Sequence, residues 1–132
     1  MNKKILIFLL PLLFFPLFQK KTGYRLVIDG HRWVKLDIEK QLMLVWGMII
    51  QSQFIKSYLL ETGYKEAAKQ INYTDVEYDK IWLKINAVYL DERNRDIPVP
   101  IIYFICAENV KGIITNQELE KILEYNRKIS KD

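Results

Sequence analysis

Asp37-Ile38-Glu39-Lys40-Gln41-Leu42-Met43-Leu44-Val45-Trp46-Gly47-Met48-Ile49-Ile50-Gln51-Ser52-Gln53-Phe54, running on to Glu61, is the stretch whose reading decides the fold. It opens on a polar turn, and from Leu42 to Ile50 it holds no polar residue. A helix apolar on every side is one that other elements surround. The pure run is less than half of the ~20 residues a membrane span needs, and Gln51, Ser52 and Gln53 end it abruptly. The segment therefore predicts the central helix of a small helical bundle. Glycine inside a helix costs roughly 1 kcal/mol against alanine, so Gly47 is expected where another helix or an aromatic ring lies close against the backbone. Trp46 is expected in the core.

The flanks supply the boundaries. Asp37 is a credible N-cap, Glu39 suits the positive end of the helix dipole, and Thr62-Gly63 should close the helix. A short helical piece is expected within residues 64–71. Thr74-Asp75-Val76-Glu77 then reads as a capping box, followed by Tyr78, Ile81, Trp82, Ile85, Val88 and Tyr89 on one helical face. Charged residues 91–96 make a connection, and Ile97-Pro98-Val99-Pro100 keeps the chain extended before an apolar helix that should end at Gly112. Thr115-Asn116-Gln117-Glu118 repeats the capping pattern, with Leu119, Ile122, Leu123 and Ile129 as the stripe of a last helix. Toward the N-terminus, Asp29-Gly30-His31 reads as a turn that delivers Trp33 to the start of the long helix. The expected fold is all-α, an orthogonal or bundle-like domain of about four helices over residues 24–132, preceded by an N-terminal export segment.

That segment is residues 1–18. Lys3 and Lys4 form a basic start and Ile5 to Phe18 an apolar stretch broken by Pro11 and Pro16. As a helix it would span about 21 Å, short of the ~30 Å hydrocarbon core, which favours a signal peptide over a permanent span. No pair of small residues marks a cut between Phe18 and Gly23, so an uncleaved signal anchor stays open beside the cleaved form. No cysteine follows the run, which excludes lipoprotein anchoring. Either outcome places the remainder outside the inner membrane, in the periplasm or on the outer face, with membrane contact only through residues 5–18 if uncleaved.

Composition narrows the function. Half of the 132 residues are hydrophobic, enough for a core. The net charge is +4, falling to +2 once Lys3 and Lys4 are set aside, with acids interleaved among the bases. Nothing there favours nucleic acid. One cysteine, Cys106, in an apolar run, can make neither an internal disulfide nor a cysteine metal site, and is expected to be a buried thiol. One histidine, His31, cannot build a histidine-rich metal centre, and no glycine loop cradles phosphate. Most acids sit at helix starts, where capping accounts for them. No catalytic residue, cofactor or metal is therefore expected. The residues left for a partner are His31, Arg32 and Trp33 before the long helix, Trp33 having packing as its simpler role, and Arg93 and Arg95 in the charged connection. Asn94 between them should set the angle between two helices, since asparagine tolerates a left-handed turn.

Three groups of residues carry a resemblance: Asp29-Gly30-His31-Arg32-Trp33, Glu39-Lys40 opening a glycine-containing apolar helix, and Tyr89 followed by Glu92-Arg93-Asn94-Arg95-Asp96-Ile97-Pro98. Over about residues 29–130 the chain resembles small exported bacterial helical proteins. More distantly it is similar to the helical periplasmic immunity proteins that neutralise cell-wall amidase toxins. The resemblance implies an exported helical domain without enzymatic activity, acting on an unidentified protein partner in the cell envelope. Immunity toward a cell-wall-degrading toxin is one alternative. A small envelope hydrolase, resting on an acid pair, is the alternative from another class.

Overall fold

A computed structural model describes residues 28–71 and 75–130. The export segment, residues 1–18, lies outside the described residues. The fold is all-α, with four long helices: α2 (Ile38–Glu61), α4 (Tyr78–Leu90), α5 (Val99–Val110) and α6 (Asn116–Ile129). Two short helices, α1 (Gly30–Trp33) and α3 (Lys65–Gln70), and a 3-10 turn at Glu92–Asn94 complete the described elements.

The central helix is α5, not α2. Seven of its twelve residues are buried, Val99, Ile102, Tyr103, Ile105, Cys106, Ala107 and Glu108, and at 100° per residue they point to every side. Its most extensive packing is against α4, and it also touches α2 and α6. On α4 the sequence periodicity holds. Ile81, Ile85, Val88 and Tyr89 are buried, Trp82 is partly buried, and only Tyr78 at the start turns outward.

By contrast α2 buries a single row, Gln41, Val45, Ile49 and Ser52, two of them polar. Its place at the edge is the reason. Chiefly α4, and less so α5, packs along that row, whereas the opposite side with Met43, Trp46 and Ile50 is exposed at the same level. At roughly 36 Å against about 20 Å, the last turns of α2 also outrun both neighbours. Two expectations fall with this. Trp46 is exposed, and a Cβ built on Gly47 would meet nothing within 4 Å.

The glycine pressed against an aromatic ring is Gly30. A Cβ there would stand 2.5 Å from two Tyr89 ring carbons and 2.7 Å from Arg95 Cα. Asp29 is the N-cap of α1, accepting from the Arg32 amide at 3.0 Å, so the expected turn is one helical turn. The strand-like bridge between Asp29 and Pro98, with Gly30 N donating to Arg95 O and Val99 N to Ile28 O, ties the chain start to the entry of α5.

Helix ends follow the chemistry of the sequence with one exception. Asp37 caps α2, and Gly63 at φ 86° closes it in the left-handed region that favours glycine. The capping box at Thr115 is complete, with Glu118 N donating to Thr115 Oγ1 and Thr115 N to Glu118 Oε2. The exception is α4, which starts at Tyr78 with Glu77 as N-cap and no side-chain cap bond. Thr74 lies outside the described residues, and Asp75, rather than opening the helix, pairs with Lys111 at 2.6 Å.

Candidate functional site

Two regions compete: the joint where the residues singled out from sequence meet, and the outer face of α2. The joint begins with Trp33, which is fully buried and therefore out of reach of a partner. Its indole Nε1 donates to Asn86 Oδ1 at 3.2 Å and its ring lies 6.4 Å from that of Tyr89. Gln41 Nε2 donates to Trp33 O and Gln41 Oε1 accepts from Trp82 Nε1, both at 2.9 Å, while Asn86 Nδ2 donates to Trp82 O. Two tryptophans, a glutamine and an asparagine thus close a ring of bonds between α1, α2 and α4. The polar edges that could have faced a ligand are satisfied within the chain.

Asn94 stands at the joint as a bridge and not as a left-handed residue. No non-glycine residue among those described has positive φ. Buried in the 3-10 turn, Asn94 donates from Nδ2 to Val88 O at 2.8 Å and accepts at Oδ1 from Arg127 Nε at 2.7 Å. This clasps the end of α4 to α6. Arg93 is exposed but held by Asp91 through three bonds of 2.6 to 3.1 Å. That guanidinium, with help from the Arg93 amide and Arg127, holds the Asp91 carboxyl down to about 2. Arg95 is half-buried, bonded to Glu92 at 2.9 Å, and its Nε is buried without a hydrogen-bond partner. His31 Nε2 lies 3.1 Å from Asp96 Oδ1 on the surface, and Arg32 is exposed beside it. The joint brings Arg93 and Arg95 onto carboxylates of their own turn, with Arg93 and α1's outer side open to solvent.

Burial governs the remaining titratable groups of the core. It pushes the Cys106 thiol up to about 12, so a reactive thiolate does not form there at neutral pH. It raises the Tyr89 and Tyr103 hydroxyls as well, the Ser52 hydroxyl opposing this at Tyr103. Glu108, buried on α5, is pushed up to about 7 by desolvation. Among the described residues no three His, Cys, Asp or Glu side chains gather as metal ligands would. Nor is any described helix long and apolar enough to cross a membrane.

The outer face of α2 is the larger feature. Met43 is 67% exposed, Trp46 56%, Ile50 52%, Phe54 72% and Tyr58 58%. At aromatic areas of about 150–250 Å² each, the face presents roughly 600 Å² of mostly apolar surface. That is at the top of the range for the largest patch on a monomer, about 300–600 Å². The sequence reading missed it because an unbroken apolar run hides which side is covered. A signal was nonetheless there. Phe54 and Tyr58 lie beyond the run yet continue the line of Met43 and Ile50 at helical spacing, away from Gln41 and Ser52.

The chain matches no protein-family model, no curated protein and no solved structure.

Proposed function

We propose that this is an exported envelope protein that works by binding another protein, without a catalytic role, and that it binds through the outer face of α2. The observation that carries the reading is the line of large apolar side chains on that helix, each more than half exposed. Water against such a surface is released on association, which is the main driving force of protein contacts. Aromatic residues and methionine are the types enriched at interface cores, and the face holds Trp46, Phe54, Tyr58 and Met43. Export rests on the basic and apolar segment of residues 1–18.

The test is photo-cross-linking in cells. A photo-reactive phenylalanine analogue in place of Phe54 should give a protein adduct in the envelope fraction, and the same analogue in place of exposed Lys121 on α6 should not. Absence of any adduct from position 54 would overturn the reading.

A further inference from the structure

Six residues down the middle of the outer face of α2 are spaced symmetrically along the chain, with Trp46 at their edge. Glu39, Met43, Gly47, Ile50, Phe54 and Tyr58 follow one another at intervals of four, four, three, four and four residues, the same read in either direction. We propose that the face binds a second copy of this chain, the two α2 helices packing antiparallel about a twofold axis that runs between them at the level of the Met48–Ile49 peptide. This rests on the binding face described above and names its partner.

That one axis sets three pairs, each made twice as an isologous interface requires. Ile50 of one copy lies over Gly47 of the other, where a Cβ would meet nothing within 4 Å and the bare backbone leaves a notch. Met43 meets Phe54, a thioether against a ring edge. Glu39 meets Tyr58, whose hydroxyl can donate to the carboxylate. A parallel pair would instead set Glu39 against Glu39 and leave Gly47 facing Gly47 across a void.

Area and charge agree with a second copy. Counting Trp46 at the rim with Met43, Ile50, Phe54 and Tyr58, at most about 600 Å² from each chain gives at most roughly 1,200 Å² in total, the lower end of specific interfaces. The charged residues of α2 are Glu39, Lys40, Lys56 and Glu61, two of each sign, so two copies do not repel. A helix lying on an anionic membrane surface would carry an excess of lysine and arginine beside its apolar face, and α2 does not.

Cross-linking through single introduced cysteines on the full chain tests the geometry, because the native Cys106 is fully buried and should stay unreactive. With a short bismaleimide, Ile50→Cys should give a product of twice the chain mass, since the two sites flank the axis. Tyr58→Cys should not, because its two copies would lie roughly 28 Å apart at 1.5 Å per residue. Met43→Cys chains mixed with Phe54→Cys chains should cross-link better than either alone. Gly47→Leu placed in the Ile50→Cys chain, at a position where an added Cβ meets nothing of its own chain within 4 Å, fills the notch and should cut the yield roughly tenfold or more. Circular dichroism checks that each variant keeps its helices. Equal products from positions 50 and 58, or none from position 50, overturn the antiparallel pair. A product of some other mass from position 50 overturns the second copy but leaves the binding face standing, whereas loss of the photo-adduct at position 54 as well removes both.

Discussion

Replacing Gly30 and Gly47 by alanine should shift stability in opposite directions. At Gly30 the backbone is not in the left-handed region, so alanine is sterically allowed by its own φ and the whole effect lies in contacts. The new methyl would stand 2.5 Å from two ring carbons of Tyr89, where carbon atoms prefer about 3.5–4.0 Å. Tyr89 cannot swing aside easily, for it is buried and its hydroxyl donates to Ile97 O at 2.9 Å. On the other side the methyl meets the backbone of Arg95, whose carbonyl accepts from Gly30 N. Overpacking costs about 1–3 kcal/mol, and with both neighbours fixed we expect Gly30→Ala near the upper end, about 3 kcal/mol. At Gly47 the methyl meets nothing and helix propensity alone acts, so Gly47→Ala should gain roughly 1 kcal/mol. Urea denaturation at low protein concentration, where association adds nothing, measures both. Measured in a Tyr89→Leu background, the cost of Gly30→Ala should shrink, because the branched side chain can yield. A midpoint that falls for Gly47→Ala, or one that stays unchanged for Gly30→Ala, would refute the packing at that position.

Glu108 makes stability depend on pH. Its folded value of about 7 stands above the ordinary 4.5, so the folded state keeps its proton longer than the unfolded state does. Stability is full below pH 4.5, declines as the pH rises through 7, and at 1.36 kcal/mol per unit the loss is about 3 kcal/mol at most. Glu108→Gln should flatten the slope between pH 5 and 8 in denaturation curves, and an unchanged slope would assign it elsewhere. Asn94→Ala removes both the bond to Val88 O and the bond from Arg127, so about 2–3 kcal/mol should be lost, whereas Arg93→Ala, an exposed pair, should stay within ~0.5 kcal/mol. Gln41→Leu strands the Trp82 indole N–H, while the Trp33 carbonyl keeps the Leu36 amide as a donor, and the one group left unpaired should cost about 1–3 kcal/mol. A thermal midpoint equal to that of the native chain would show that the ring of bonds is not closed in solution.

The sequence by itself determined the local structure. Capping residues at Asp37 and Thr115, glycines at 63 and 112, and the period of Ile81, Ile85 and Val88 placed helices where they are found, because these signals act within one or two turns of the backbone. Burial of Cys106 was legible too, for an apolar run in the most hydrophobic helix has few ways to stay wet. The arrangement of the helices was not legible. Leu42 to Ile50 and Ile101 to Cys106 look alike as runs, yet one belongs to the helix at the edge and the other to the helix at the centre. Which of them is covered depends on helix lengths and on how many neighbours reach each face, and these follow from the whole chain. In the same way Gly47 and Gly30 exchange roles, and Asn94 turns from a left-handed hinge into a buried clasp, because their partners Tyr89, Val88 and Arg127 come from elsewhere in the chain. The line on α2 was written in the sequence throughout, but only the tertiary structure decided that it faces outward, since a stripe becomes a surface when no other element packs against it.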